Sequence, residues 1–284
     1  MREARALTLF LGLSALMLVR AARQKMPPPR VAQPAATSST KDGKSLAAPW
    51  MKPLKAALQH GGSQRQKRDR SEAKRKQVQL ATVDPVSLRP AVRTIVFRGF
   101  MPRHLMLGCS QQQGGKLDDE ESCALMFITD SRAEKVRHLQ HPQSSTYVEC
   151  CWWLDEAGVQ FRISGRAVLA TATSEDPALR AACETVWTRL QSSTKGTFFW
   201  PAPGEPISTH PAAALTTDEL SLDEANFALV VVLPERVDEL RLGGKQRRVL
   251  YTLEQPQIST GMMEGGDLLA QHAKTQWRQE GLNP

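Results

Sequence analysis

Two arginines set on an otherwise apolar strand, Arg93 and Arg98 in the stretch PAVRTIVFRGF (90–100), are where the sequence first offers chemistry. Val92, Ile95, Val96 and Phe97 supply the β-branched and aromatic content of a sheet interior. A guanidinium held on a rigid strand presents a fork of donors suited to an anion such as phosphate, and Thr94 adds a hydroxyl. Positions 93 and 98 are an odd number apart, so strict alternation sends the two side chains to opposite faces. Both serve one ligand only across a bulge, at the strand's rim or at a subunit interface. The rival reading is a half-buried strand with two solvated arginines.

A second place for an anion lies where the apolar run ALMFITD (124–130) passes straight into SRAEKVRHL. Ser131 and Glu134 have the spacing of a capping box, with Val136 and Leu139 as the buried side of a short helix. A helix start leaves backbone N–H groups without partners, and here it comes with Thr129, Arg132 and Lys135, a plausible phosphate cradle. An ordinary capped helix with solvated basic residues fits the same letters. In the later stretch VQFRISGRAVLA (159–170), Gln160, Arg162, Ser164 and Arg166 alternate with Val159, Phe161 and Ile163. That polar face is either solvent-facing or a ligand surface, and an amide such as that of Gln160 offers the donor and acceptor that a flavin's pyrimidine edge requires. Cys109, Cys123, Cys150, Cys151 and Cys183 form no evident disulfide framework, and His138 and His141 read as surface residues without a metal pattern.

The elements that must position these groups are mostly strands. VQLATVD (78–84) is a first strand, 90–100 a second and 124–130 a third. YVECCWWLD (147–155) and 159–170 form a hairpin, and 227–242 and 247–254 close the sheet across Gly243-Gly244. Asp176-Pro177 opens an amphipathic helix carrying Leu179, Cys183, Val186, Trp187 and Leu190. Trp50, Leu54, Ala57 and Leu58 share the face of a short helix that docks on this domain. Residues 63–76 read as a basic linker, 101–122 and 200–226 as polar surface loops, and the tail after Gln255 as largely irregular with Trp277 its one strong anchor.

Charge is distributed very unevenly. Residues 20–79 hold fifteen Lys and Arg against three acids, whereas residues 80–284 carry 20 basic and 25 acidic groups. The folded part is mildly acidic, which argues against a nucleic-acid-binding surface despite the overall charge of +8. Arg2 and Arg5 precede an apolar run from Ala6 to Val19, shorter than the roughly 20 residues that span a bilayer. Residues 1–21 are therefore expected to be a signal peptide, and the basic, acid-poor segment up to 46 to be transit-like. Together they suggest a two-part organelle address, plastid favoured, with the secretory pathway or a mitochondrion as alternatives and no membrane span in the mature domain.

The blocks RPAVRTIVFRGF, LMFITDSRAEKV, ECCWWLDEAGVQFRISGRA, FFWPAPG, VDELRL and RRVLYTL, in this order and followed by Trp277, resemble the pyridoxamine 5′-phosphate oxidase-like flavoproteins, nearest their cyanobacterial and plant FMN-binding subfamily. The resemblance covers residues 47–284. It implies a mainly β fold with short helices, an FMN-binding split β-barrel, and a homodimer with two FMN molecules at its interface. It places the FMN phosphate near Arg93, Arg132 and Lys135, with Ile128 and Thr129 along the adjoining strand. Thr94, Ile95, Val96, Phe97 and Arg98 then follow the isoalloxazine, Gln160 meets its edge, and Arg248 approaches from the last strand block. Ala133 stands where the family often has Ser, Gly244-Lys245-Gln246-Arg247 replaces an Arg-x-His pair, and Gly281 replaces a terminal arginine. These departures point away from pyridoxamine-phosphate oxidation itself. They leave a flavin-dependent oxidoreductase on an unidentified small molecule, a non-catalytic flavin carrier or regulator, or a split barrel holding haem or a deazaflavin.

Overall fold

The computed structural model describes residues 48–60, 72–107, 121–206, 220–254, 265–273 and 275–284. The expected leader, and parts of the linker and of both polar loops, lie outside them. The described elements fall within one compact unit, 45–284.

Helix α1 (Met51–Gln59) precedes strands β1 (Gln77–Val83) and β2 (Pro90–Pro102), the one-turn helix α2 (Arg103–Met106), β3 (Glu121–Asp130) and α3 (Glu134–Gln140). Then come β4 (Tyr147–Leu154), β5 (Val159–Ala170), α4 (Pro177–Thr188), α5 (Ser192–Gly196), β6 (Phe227–Arg241), β7 (Arg247–Glu254), α6 (Gly265–His272) and β8 (Gln276–Leu282). The strand order is β3-β2-β1-β4-β5-β6-β7-β8, and β3 also pairs with β6. That extra pairing closes six strands into a barrel, with β7 and β8 continuing as a flap. The long β6 makes this possible: its first half pairs with β3 (Val230 opposite Phe127) and its second half with β7 (Val237 opposite Tyr251).

Alternation decides what fills the barrel. Val78 and Leu80 of β1, Ile95 and Phe97 of β2, Phe127, Trp152, Phe161, Ile163 and Val237 are all buried in one cluster. Each fully buried side chain of this size contributes about 1.5–3 kcal/mol through its removal from water. Trp50, just ahead of α1, and Leu54 within it, both 0% exposed, join the same cluster and cover the barrel end nearest Gln77. Helix α3 covers the other end, where its His138 meets Thr82. A second cluster lies outside the wall, where Leu179, Cys183, Val186 and Trp187 of α4 pack on Leu229, Val231 and Leu233. Strand β5 crosses β6 at a bulge beside Gly165, where a Cβ would come 2.0 Å from the Leu233 carbonyl oxygen, so only glycine fits.

Four expectations need correction. The segment expected as a loop from 101 is structured at both ends: Met101, Leu105 and Met106 are buried in the outer cluster, and β3 starts at Glu121. The apolar letters of His-Leu-Met-Leu were the missed cue. The described part of the tail is regular too: β8 pairs with Arg248–Glu254 of β7, and Trp277 packs against Trp50 at 6.0 Å between ring centroids. Ser131 does not cap α3; the helix starts after Ala133 without a side-chain cap, and the Asp130 carboxylate holds the turn by accepting from the Arg132 N–H at 2.8 Å. Finally, His138 is not a surface residue but is 7% exposed, because α3 presses that face onto β1.

Candidate functional site

The end of the barrel beneath α3 gathers most of the residues singled out for an anion. Arg93 stands opposite Leu80, which is fully buried, so it points to the barrel's interior side near the mouth. Its Nη1 donates to the carbonyls of Leu80 (3.3 Å) and Ala91 (3.0 Å) and to Thr82 Oγ1 (2.7 Å). Its Nη2 lies 3.5 Å from Glu134 Oε2. Burial draws the guanidinium's pKa down, and Glu134 partly offsets it. Lys135 Nζ donates to Thr129 Oγ1 at 2.7 Å. Its pKa is lowered first by burial and then by the nearby charge of Arg93.

The donor set fits a phosphate. Two cations are crowded together, both at a desolvation cost, and the carboxylates nearest them are Glu134, whose side chain is 61% exposed, and Asp130. Asp130 is already engaged. Arg132 grips it through Nε (3.0 Å) and Nη2 (2.7 Å), with Nη2 also donating to the Trp200 carbonyl at 2.8 Å. Thus Arg93, Lys135 and Thr129 converge with net positive charge, while Arg132 beside them is already paired. Thr82 and His138 belong to this site and were not anticipated. A hydroxyl at an inward position of β1, after Val78 and Leu80, was the available signal.

The remaining candidates lie on the outer face. Along β2, Thr94, Val96 and Arg98 are exposed, whereas the side chains of Ile95 and Phe97 are in the barrel, Phe97 packed 4.9 Å from Trp152. Arg98 falls at the bulge between Phe97 and Gly99, where Gly99 takes φ 129°. Arg93 and Arg98 therefore face opposite ways, as alternation required. Ile128 packs against the outer cluster instead. Gln160 lies across from Trp153 and Leu240, and Leu240 lies across from Arg248, so Gln160 and Arg248 share one cross-strand row. Arg248 is fixed by Asp238 through two bonds of 3.0 and 2.7 Å. A cavity of about 340 Å³ opens on this face among Gln77, Gln79, Trp153 and Asp155, away from the mouth.

Strand order sets the distance between these groups. From β2 to β5 there are three strand steps, on the order of 14 Å along the sheet. One chain therefore does not bring Thr94, Val96 and Arg98 against Gln160 and Arg248.

Comparison with known proteins gives relatives of the same fold. Residues 47–171 match the family described as pyridoxamine 5′-phosphate oxidase, FMN-binding domain. A pyridoxine/pyridoxamine 5′-phosphate oxidase 2 of Arabidopsis thaliana is 29% identical over 171 residues, covering 60% of this chain and 75% of the relative. A pyridoxamine 5′-phosphate oxidase-related, FMN binding protein from Nostoc punctiforme superposes with TM-score 0.60 at 29% identity, over 84% of this chain and 98% of that one. PhzG from Burkholderia lata, solved with tetrahydrophenazine-1-carboxylic acid, has TM-score 0.50 at 18% identity over 82% of this chain and 92% of its own, a likeness of fold alone. Fold and site define a split barrel of the pyridoxamine 5′-phosphate oxidase type. The chain resembles the pyridoxamine 5′-phosphate oxidase-like FMN-binding family, the family match spanning residues 47–171.

Proposed function

We propose that the protein binds FMN as a homodimer and works as a flavin-dependent oxidoreductase on a small molecule. The observation that carries the reading is the convergence of Arg93 and Lys135, partly buried and short of counter-charge, at the barrel mouth. A phosphate there accepts from Arg93 Nη2 and Lys135 Nζ and relieves their repulsion. The ring then runs over the outer face of β2, past Thr94, Val96 and Arg98. Gln160 and Arg248, three strands away in the same chain, reach it from a second copy, which is the support for a dimer. Bound FMN supplies the hydride chemistry, and the protein supplies position and charge.

No helix among the described residues is long and apolar enough to cross a membrane. We further propose that residues 1–46 are a removable organelle address, supported by their basic, acid-poor composition and testable with a fluorescent fusion.

Protein beginning at residue 47 is expected to be yellow, to release one FMN per chain on heating, and to run as a dimer in light scattering. Release of FAD, of haem, or of no cofactor overturns the cofactor assignment. A stable monomer that holds FMN tightly overturns the shared site.

A further inference from the structure

We propose that Glu134 is a resident counter-ion of Arg93 that a ligand's phosphate must displace, and that it thereby limits how strongly the site prefers FMN to riboflavin. This rests on the phosphate reading of the mouth. Arg93 is held by one end: all three of its bonds to the barrel come from Nη1, and Nη2 faces Glu134 Oε2 at 3.5 Å. The arginine cannot turn to follow either anion, so both must come to Nη2.

The groups behind it are fixed as well. A guanidinium only donates, so Thr82 Oγ1 accepts from Arg93, and the same hydroxyl lies 3.0 Å from His138 Nδ1. The other ring nitrogen of His138, Nε2, lies 4.0 Å from Glu134 Oε1. The Glu134 carboxylate thus stands between the His138 ring and Arg93 without a short bond to either. Its side chain is 61% exposed, so water is ready to receive it.

A phosphate between Arg93 and Lys135 meets this carboxylate at close range, and like charges there repel. Glu134 therefore weakens phosphate binding in proportion to what it contributes to the empty site. A neutral amide of the same shape removes the competition and leaves the space unchanged.

The test uses the full chain freed of flavin, with FMN, riboflavin and inorganic phosphate as probes. Glu134→Gln is expected to bind FMN about 3- to 10-fold more tightly, with riboflavin unchanged. In phosphate-free buffer its thermal midpoint falls, because Arg93 and Lys135 face each other without that carboxylate, and inorganic phosphate raises the midpoint more than in wild type. Glu134→Ala shifts FMN affinity in the same direction. Unchanged or weaker FMN binding in Glu134→Gln, with no larger response to phosphate, overturns the proposal. A wild-type protein that binds neither flavin refutes the FMN reading, and the phosphate response then decides the role of Glu134 by itself.

Discussion

Arg93 and Arg248 are the same residue on strands of one sheet, and they end in opposite circumstances. Arg248 lies flat on the outer face with both arms on Asp238, whose side chain is 3% exposed, and Arg236 stands 3.9 Å from the same carboxylate. Arg162 likewise meets Glu149, which also accepts from Ser164 at 3.1 Å. On this face each of these arginines has a carboxylate beside it. At the mouth Arg93 is anchored by neutral oxygens, shares its charge with Lys135, and meets only an exposed carboxylate. Charge matched inside the chain builds a sheet surface, while charge held rigidly in excess implies an anion from elsewhere.

The largest effect is expected where the match is tightest. Asp238→Ala removes the two charge-assisted bonds from Arg248 and should destabilise the fold by about 2–3 kcal/mol, read by denaturant unfolding. FMN and riboflavin should shift together, since Asp238 is far from the phosphate. The pH dependence has a definite sign. Hydrogen bonds from Arg248 hold the Asp238 carboxyl below its ordinary value of 3.8. Its stabilisation is therefore complete above that value and is lost as pH falls through the lower folded value. The variant should lose part of the wild type's acid-side decline, and an unaltered acid limb would show the pair to be inert.

Next in size is the mouth itself. Arg93→Ala removes a charge-assisted contact worth about 1.5–3 kcal/mol, a roughly 10- to 150-fold loss of FMN affinity. Riboflavin has no phosphate to lose, so the gap between the two flavins should narrow. Equal weakening of both would mean that Arg93 only holds β1 and β2 together through Thr82.

The strands were legible because a half-buried strand writes its burial in alternate letters. The β5 stretch 159–170 and the helix from Pro177 appear at the expected residues. What alternation could not show is closure. The β3–β6 pairing depends on β6 being long enough to serve two neighbours, and its letters are continuously apolar at the start. The tail was missed because β8 is a solvated edge strand whose QWRQEGL carries one large apolar anchor. At the site, Arg93, Thr129 and Lys135 were readable as residue types near a strand-to-helix turn. The engagement of Arg132 was not, because it depends on Asp130 and on the carbonyl of Trp200, 68 residues away. His138 was misread because a histidine in a short polar helix, with a second just beyond its end, gives no hint of which face β1 covers.

That engagement yields a smaller prediction. Because the Arg132 guanidinium already has both arms on Asp130, Arg132→Ala should weaken FMN only about 2- to 5-fold, well short of Arg93→Ala. A loss as great as that of Arg93→Ala would mean that phosphate takes Arg132 away from Asp130 and that Arg132 belongs with Arg93 at the mouth.

The smallest effect belongs to Arg162. It stands on the same strand face as Gln160, two residues along, and its partner Glu149 lies one strand over at 2.7 Å. Both side chains are more than a third exposed, 41% and 37%, so water screens their attraction and the pair contributes less than about 1 kcal/mol. Arg162→Ala should therefore leave the FMN-to-riboflavin ratio within about twofold and lower stability only slightly, since Ser164 still donates to Glu149. Isothermal titration with both flavins measures the ratio, and urea unfolding measures the cost. A selective loss of FMN binding would place phosphate on the outer sheet face near Glu149, and the mouth would then lose its claim to it.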